Sequence, residues 1–240
     1  MYWWRGKIGL LVPLVNDVVE REFHLMAPDG VSIHTARVVY RTIEPTVKAN
    51  FEANDHELIP AAKRLASVKP NVVIWACTTA SFIGGVGYNV ELSNKIEEAI
   101  GIPALTTSTA VLEAFKRFGF KKVAIATPYI EEVNEKEKAF FEGNGYEVTE
   151  IRGMQVTDAW EEGTLLPSQA YRLAREVDSP EADGVFISCT DFRAAEVIEV
   201  LENDLMKPVV TSNQASMWAC LRSIGVRESI RGFGTLLEDV

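Results

Sequence analysis

The stretch KIGLLVPLVNDVVERE, starting at Lys7, aligns without a gap on KVAIATPYIEEVNEKE, starting at Lys122. Pro13 falls on Pro128, Glu20 on Glu135, Arg21 on Lys136 and Glu22 on Glu137, each pair 115 residues apart. Further on, VIWACT falls on VFISCT, placing Cys77 on Cys189 at an offset of 112, and IPALTTSTA falls on KPVVTSNQA, placing Pro103 on Pro208 at 105. Three landmarks in one order, with a slowly shrinking offset, mark a duplicated unit. A proline near a strand end is common to βα units; a Cys-Thr pair closing a strand in both halves is not.

Short apolar runs alternate with helix-like segments along the chain. Lys7–Val12, Val72–Cys77, Ile102–Thr107, Val123–Pro128, Gly184–Cys189 and Pro208–Ser212 read as buried strands, apolar nearly throughout and bounded by turn residues. Val31–Tyr40, after the Asp29-Gly30 turn, is a seventh. STAVLEAFKRFG opens on a capping Ser108 and stops at Gly119. EEVNEKEKAFFEGNG and FRAAEVIEVLEND carry apolar residues at helical spacing. Alternating strand and helix predicts an α/β fold. With the duplication it becomes two similar doubly wound lobes, each a parallel four-stranded sheet, related by a pseudo-twofold axis with the active site between them. Residues 1–107 with 213–240 form the first lobe, around Cys77, and 108–212 the second, around Cys189. No low-complexity linker marks a boundary.

Open α/β sheets bind ligands outside the carboxyl ends of their strands. Facing duplicated lobes would therefore set Cys77 and Cys189 on opposite sides of one cleft. Each thiol could act as base or nucleophile through its thiolate, and helix N-terminal N–H groups after each cysteine would enlarge the ionised fraction. Thr78, Thr79 and Ser81 offer hydroxyl and N–H donors suited to a carboxylate. Thr190 and Tyr129 could do the same, and Asn16 and Asn134 are amide candidates near the strand ends. Plainer roles compete: a strand-end cysteine is often core, the threonines could only cap a helix, Tyr129 could be a packed aromatic, and the asparagines could be N-caps. Cys220, in SMWACLRSIG, reads as core packing.

Composition narrows the partners. With 34 acidic against 24 basic residues the net charge is −10, which argues against nucleic acid or an anionic membrane surface. Three widely spaced cysteines make neither a disulfide framework nor a metal motif, and His24, His34 and His56 form no metal pattern. The N-terminal apolar run is broken by Pro13, with no cleavage signal and no membrane span; a cytoplasmic setting is the default. GGVGYN lacks both dinucleotide and P-loop spacing, and there is no nucleophile elbow.

VPLVND, ACTTASF, TTSTAVLEAF, ATPYIEEVNE and SCTDFRA together resemble the aspartate/glutamate racemase superfamily, in its maleate cis-trans isomerase and arylmalonate decarboxylase branch. The resemblance runs from about Lys7 to the final helix. It implies two α/β lobes, no metal or cofactor, a homo-oligomer, and a small carboxylic acid held between cysteines. Cys77 and Cys189 match the two cysteines of the maleate isomerases, Asn16 their first-loop asparagine, and Tyr129 the tyrosine that binds a substrate carboxylate. Thr78 and Thr79 match the hydroxyl pair of the decarboxylases. Those decarboxylases carry glycine where Cys77 stands, so two thiols favour isomerase or racemase chemistry. No Asp or His stands where amino-acid racemases support their cysteines, which argues against amino-acid substrates. The resulting expectation is isomerisation of a maleate-like dicarboxylate by thiolate addition, rotation and elimination. Decarboxylation or racemisation on the same scaffold, and carboxylate binding without turnover, are the alternatives.

Overall fold

The computed structural model describes residues 2–39 and 47–238. Eight strands form two sheets: β1 (Gly6–Pro13), β2 (Val31–Val38), β3 (Val72–Trp75) and β4 (Ala104–Thr106) in the first, and β5 (Lys122–Thr127), β6 (Glu147–Gly153), β7 (Gly184–Ile187) and β8 (Val209–Thr211) in the second. Their orders are β2-β1-β3-β4 and β6-β5-β7-β8, and every pairing is parallel. One topology thus occurs twice, with β1 on β5, β3 on β7 and β4 on β8, as the sequence alignment pairs them.

The helices are α1 (Val19–Met26), α2 (Val47–His56), α3 (Leu58–Ala66), α4 (Thr78–Phe82), α5 (Tyr88–Ile100) and α6 (Thr107–Phe118). After β5 come α7 (Glu131–Gly143), α8 (Ala159–Thr164), α9 (Pro167–Val177), α10 (Ile198–Leu205), α11 (Ser212–Ser223) and α12 (Thr235–Glu238). All seven expected runs form strands; Tyr40, the expected end of one, lies outside the described residues. β6 was not expected. Its sequence, EVTEIRG, is half-exposed at the sheet edge with Glu147, Glu150 and Arg152 facing out, so it lacks the apolar run that marks the buried strands.

In both lobes ladder pairing stops short of the thiol. The last pairs are Trp75 with Thr106 and Ile187 with Thr211, leaving Cys77 and Cys189 two residues beyond their sheets. Pairing ends there because Thr106 and Thr211 turn into helices. Thr106 caps α6 by accepting from the Thr109 N–H at 3.3 Å, and Thr211 caps α11 by accepting from the Gln214 N–H at 3.1 Å. The expected cap, Ser108, instead lies buried in the first turn of α6. A cap needs extended backbone, and Thr106 has it, at φ −124° and ψ 155°.

The helices so capped pack on each other, with Ser216 Oγ 3.1 Å from Thr107 Oγ1. Every residue of α11 from Ser212 to Leu221 is buried. One hydrophobic core runs through both lobes, with Ile74, Phe115, Ile125, Phe186 and Leu221 among its members. A second cluster, including Val73, Trp75, Leu65 and Leu92, covers the outer face of the first sheet. At about 25 cal/mol per Å² of apolar surface removed from water, this continuous packing is the main force joining the lobes. Among the described residues no helix is long and apolar enough to cross a membrane.

Candidate active site

Cys77 sits at the N-cap of α4 in extended conformation, φ −145° and ψ 112°. The short helix then buries Thr78, Thr79 and Ser81. Thr78 Oγ1 donates to Ser212 Oγ at 2.9 Å, and Ser81 Oγ lies 2.7 Å from Ser108 Oγ. The first-lobe hydroxyls are therefore held from behind by α6 and α11. The Cys77 sulfur faces Asn50 Oδ1 at 4.0 Å.

Cys189 is built differently. No helix follows it directly; the chain makes a turn, and a single 3₁₀ turn begins only at Ala195. The expected helix N-terminus is therefore missing at the second thiol. Instead the Asp191 N–H reaches back to Cys189 Sγ at 3.3 Å. That curl needs φ of 91° at Cys189, a conformation that costs a non-glycine residue about 1–3 kcal/mol and is found mostly at functional sites.

The two strand ends touch. Thr190 Oγ1 donates to the Ala76 carbonyl at 3.1 Å and accepts from Asn16 Nδ2 at 3.0 Å. The other end of the Asn16 amide accepts from the N–H groups of Val18 and Val19, at 3.2 and 3.0 Å. Asp191 Oδ1 accepts from the Asp17 and Val18 N–H groups at 3.1 and 3.3 Å. Behind them, Glu22 on α1 accepts from the N–H groups of Ala194 and Ala195, both at 3.0 Å, and from Asn213 Nδ2 at 2.7 Å. Asn213 Nδ2 also donates to the Thr190 carbonyl at 3.0 Å. The loop after β1 and the loop after Cys189 are thereby latched together.

Tyr129 joins this group from the second lobe. It is buried, its ring meets Phe82 of α4 edge-on at 6.5 Å, and its hydroxyl neighbours Thr79 and Cys189. Burial, then the charge of Cys189, pushes its phenol well above the ordinary range, so it is a neutral hydrogen-bond donor. Asn134 stands one layer back. It accepts from Thr127 Oγ1 at 2.7 Å, and Thr127 Oγ1 accepts from the Tyr129 N–H at 3.1 Å. Thr190 thus ties Asn16 to the strand end before Cys77, Tyr129 lies beside Cys189 and Thr79, Thr78 turns to Ser212, and Asn134 braces the Tyr129 turn.

Sequence reasoning missed the carboxyl groups. Glu162, on α8, places Oε2 3.2 Å from Cys189 Sγ. The side chain that accepts from the Cys189 thiol is this Glu. Burial pushes its carboxyl up to about 7, and burial, then the charge of Glu162, pushes Asp191 to about 8. Burial, then Glu162 and Asp191, raises the Cys189 thiol well above its usual value. Cys189 is therefore held as a protonated thiol at neutral pH. Glu137, the repeat partner of Glu22, lies fully buried against Ser188 Oγ at 2.6 Å, and burial carries it to about 8. The repeat could have drawn attention to Glu22 and Glu137; nothing in DAWEEGT marks Glu162. Among the described residues no group of His, Cys, Asp and Glu has the arrangement of a metal site.

The arylmalonate decarboxylase family model matches residues 8–237. This chain belongs to that family. It is 30% identical to arylmalonate decarboxylase of Bordetella bronchiseptica over 97% of this chain and 96% of that one. Maleate isomerase of Nocardia farcinica is 29% identical, again over 97% of this chain and 96% of its own length. The structure of a Nocardia farcinica maleate cis-trans isomerase mutant with a covalently bound succinylcysteine intermediate superposes with a TM-score of 0.92, at 25% identity over 97% of this chain and 98% of that one. The two-lobed fold and the family are thus established for this chain. Both relatives are enzymes acting on small carboxylic acids, by the names they carry.

Proposed function

We propose that this protein is a cofactor-independent cis–trans isomerase of a small dicarboxylic acid, of the maleate isomerase type. The observation that carries the reading is the presence of a thiol at each of two strand ends tied by the Thr190–Ala76 hydrogen bond. Decarboxylation needs one proton donor; a second thiol at Cys77 supplies a nucleophile.

In this mechanism the Cys77 thiolate adds to one alkene carbon, forming the S–C bond. The π electrons move to the neighbouring carbon and its carboxylate. Cys189, held as a thiol, protonates that carbon and becomes a thiolate. The former double bond is now single and turns. Cys189 then takes a proton back, the S–C bond breaks, and the trans acid leaves with Cys77 again a thiolate. The Tyr129 hydroxyl, the second Asn16 amide hydrogen and the N–H groups of the Thr78–Thr79 turn face the carboxylates as neutral donors, which strengthen as charge grows on the enolate-like intermediate, while the Thr78 and Thr190 hydroxyls hold that turn and the Cys189 loop in place. The succinylcysteine named for the Nocardia farcinica mutant is the adduct such a path predicts.

Proton NMR of maleate-to-fumarate conversion tests the proposal. Cys77→Ala and Cys189→Ala should each abolish turnover with the fold intact; full activity in either variant refutes the two-thiol mechanism. The 30% identity to an arylmalonate decarboxylase favours decarboxylation as the second reading, and CO₂ release from an arylmalonate without maleate conversion would select it.

A further inference from the structure

Cys189 as a general acid leaves a thiolate behind after each proton transfer, and its surroundings are hostile to one. Asp191 follows it in the chain, Asp17 lies behind Asp191, and Asp158 caps α8 beside Glu162. Tyr129 and, beyond it, Glu137 complete the wall. Among the described residues neither a lysine nor an arginine forms an ion pair with any of Glu162, Asp191 or Glu137. A thiolate here gains the Asp191 N–H at 3.3 Å and the Tyr129 hydroxyl, against three buried or flanking carboxyl groups.

Glu162 is the exception. Oε2 lies 3.2 Å from the sulfur, while Oε1 is buried and has no partner at all. A buried ionised carboxylate with one bare oxygen would be poorly solvated; a carboxyl that trades one proton with the neighbouring sulfur is not. The placement is built in. Gly163, next in sequence, comes so close to the loop after β1 that an added Cβ would sit 2.5 Å from Asp17 Oδ1. Asp158 Oδ1 accepts from the Trp160 N–H at 2.8 Å and starts the helix that carries Glu162.

We propose that Glu162 is the proton partner of Cys189, a positioning residue that passes its carboxyl proton to the sulfur whenever Cys189 has protonated substrate and takes it back in the reverse half-reaction. The balance closes within the site. The S–H proton forms the new C–H bond, the Glu162 O–H proton restores S–H, and the negative charge ends on Glu162. Elimination runs each transfer backwards. The carbon acid rests on the isomerase reading; the shared proton does not, because it exists in the free protein.

The test uses the full-length protein with ¹³Cβ-labelled cysteine, the Cys189 signal assigned through Cys189→Ser. Its chemical shift is followed against pH in the wild type, Glu162→Gln and Glu162→Asp. The Cys189 midpoint should drop by about one pH unit or more in Glu162→Gln, with the shorter Asp intermediate. In maleate turnover Glu162→Gln should lower kcat by about 10²-fold with KM nearly unchanged, and remove a decline in kcat expected of the wild type above about pH 7. Glu162→Asp should recover part of kcat. Superimposable Cys189 titrations overturn the proposal, even if maleate is turned over. A shifted midpoint without any maleate turnover keeps the proton pair and removes the isomerase reading. Should Glu162→Gln fail to fold, the Asp variant alone decides, through a shifted or unshifted Cys189 midpoint.

Discussion

Thr190 Oγ1 donates to the Ala76 carbonyl at 3.1 Å, joining the residue after one thiol to the residue before the other. The same hydroxyl accepts from Asn16 Nδ2, so three segments meet at one oxygen.

Thr190→Val keeps the shape and removes both bonds. It leaves the Ala76 carbonyl and the Asn16 amide unsatisfied in a buried setting, which costs about 1–3 kcal/mol. Thermal unfolding should shift down by a few degrees. Turnover should fall more than the stability loss alone explains, because the thiols lose their common brace. Unchanged kcat with lowered Tm would make Thr190 purely structural.

Glu22 supports the same loop from behind, through the N–H groups of Ala194 and Ala195 and through Asn213. Glu22→Ala strips three buried donors of their acceptor. Chemical denaturation should show a loss of about 3 kcal/mol or more. Glu22→Gln, which keeps the shape but presents an N–H₂ to some of those donors, should fall between the two.

Gly153 ends β6 against the Tyr129 turn. A Cβ there would lie 2.1 Å from the Tyr129 carbonyl oxygen and 2.5 Å from Asn134 Nδ2. Backbone cannot yield as a side-chain tip can, so Gly153→Ala must displace the Tyr129 turn at a cost of about 1–3 kcal/mol. Substrate affinity, measured as KM or as an inhibitor Kd, should weaken at least several-fold while the Cys77 and Cys189 backbones stay in place.

Stability should decline as pH rises through neutrality. Glu137 and Asp191 are raised to about 8 and Glu162 to about 7 by burial, above their unfolded values near 4. The folded state therefore holds protons that the unfolded chain has released. This contribution is whole below about pH 4 and lost as pH climbs to about 8, at up to about 1.4 kcal/mol per pH unit for each group. Differential scanning calorimetry of wild type and Glu137→Gln between pH 5.5 and 8.5 checks it: the wild-type Tm should fall, and the Gln variant should fall less steeply.

Much of the architecture is legible in the sequence. The buried strands announce themselves because both faces are covered, so Val72–Trp75 and Gly184–Ile187 are apolar at every position. β6 escaped notice because an edge strand needs only half its side chains buried. The capping position slipped by two residues, from Ser108 to Thr106, because TTST offers several hydroxyls and backbone conformation alone chooses among them. Asn134 was a reasonable amide to suspect; only the 2.7 Å contact with Thr127 shows that it faces the turn.

The chain's local pattern was enough to determine the doubled α/β plan and to put a cysteine at the end of a strand in each half. Apolar periodicity, turn residues and repetition are properties of neighbouring positions, and they survive in one dimension. The acidic character of the second thiol's surroundings was decided in space. Glu162 is 27 residues from Cys189 along the chain and 3.2 Å from it in the fold. Desolvation and charge act through distance and burial, which only the packed molecule sets.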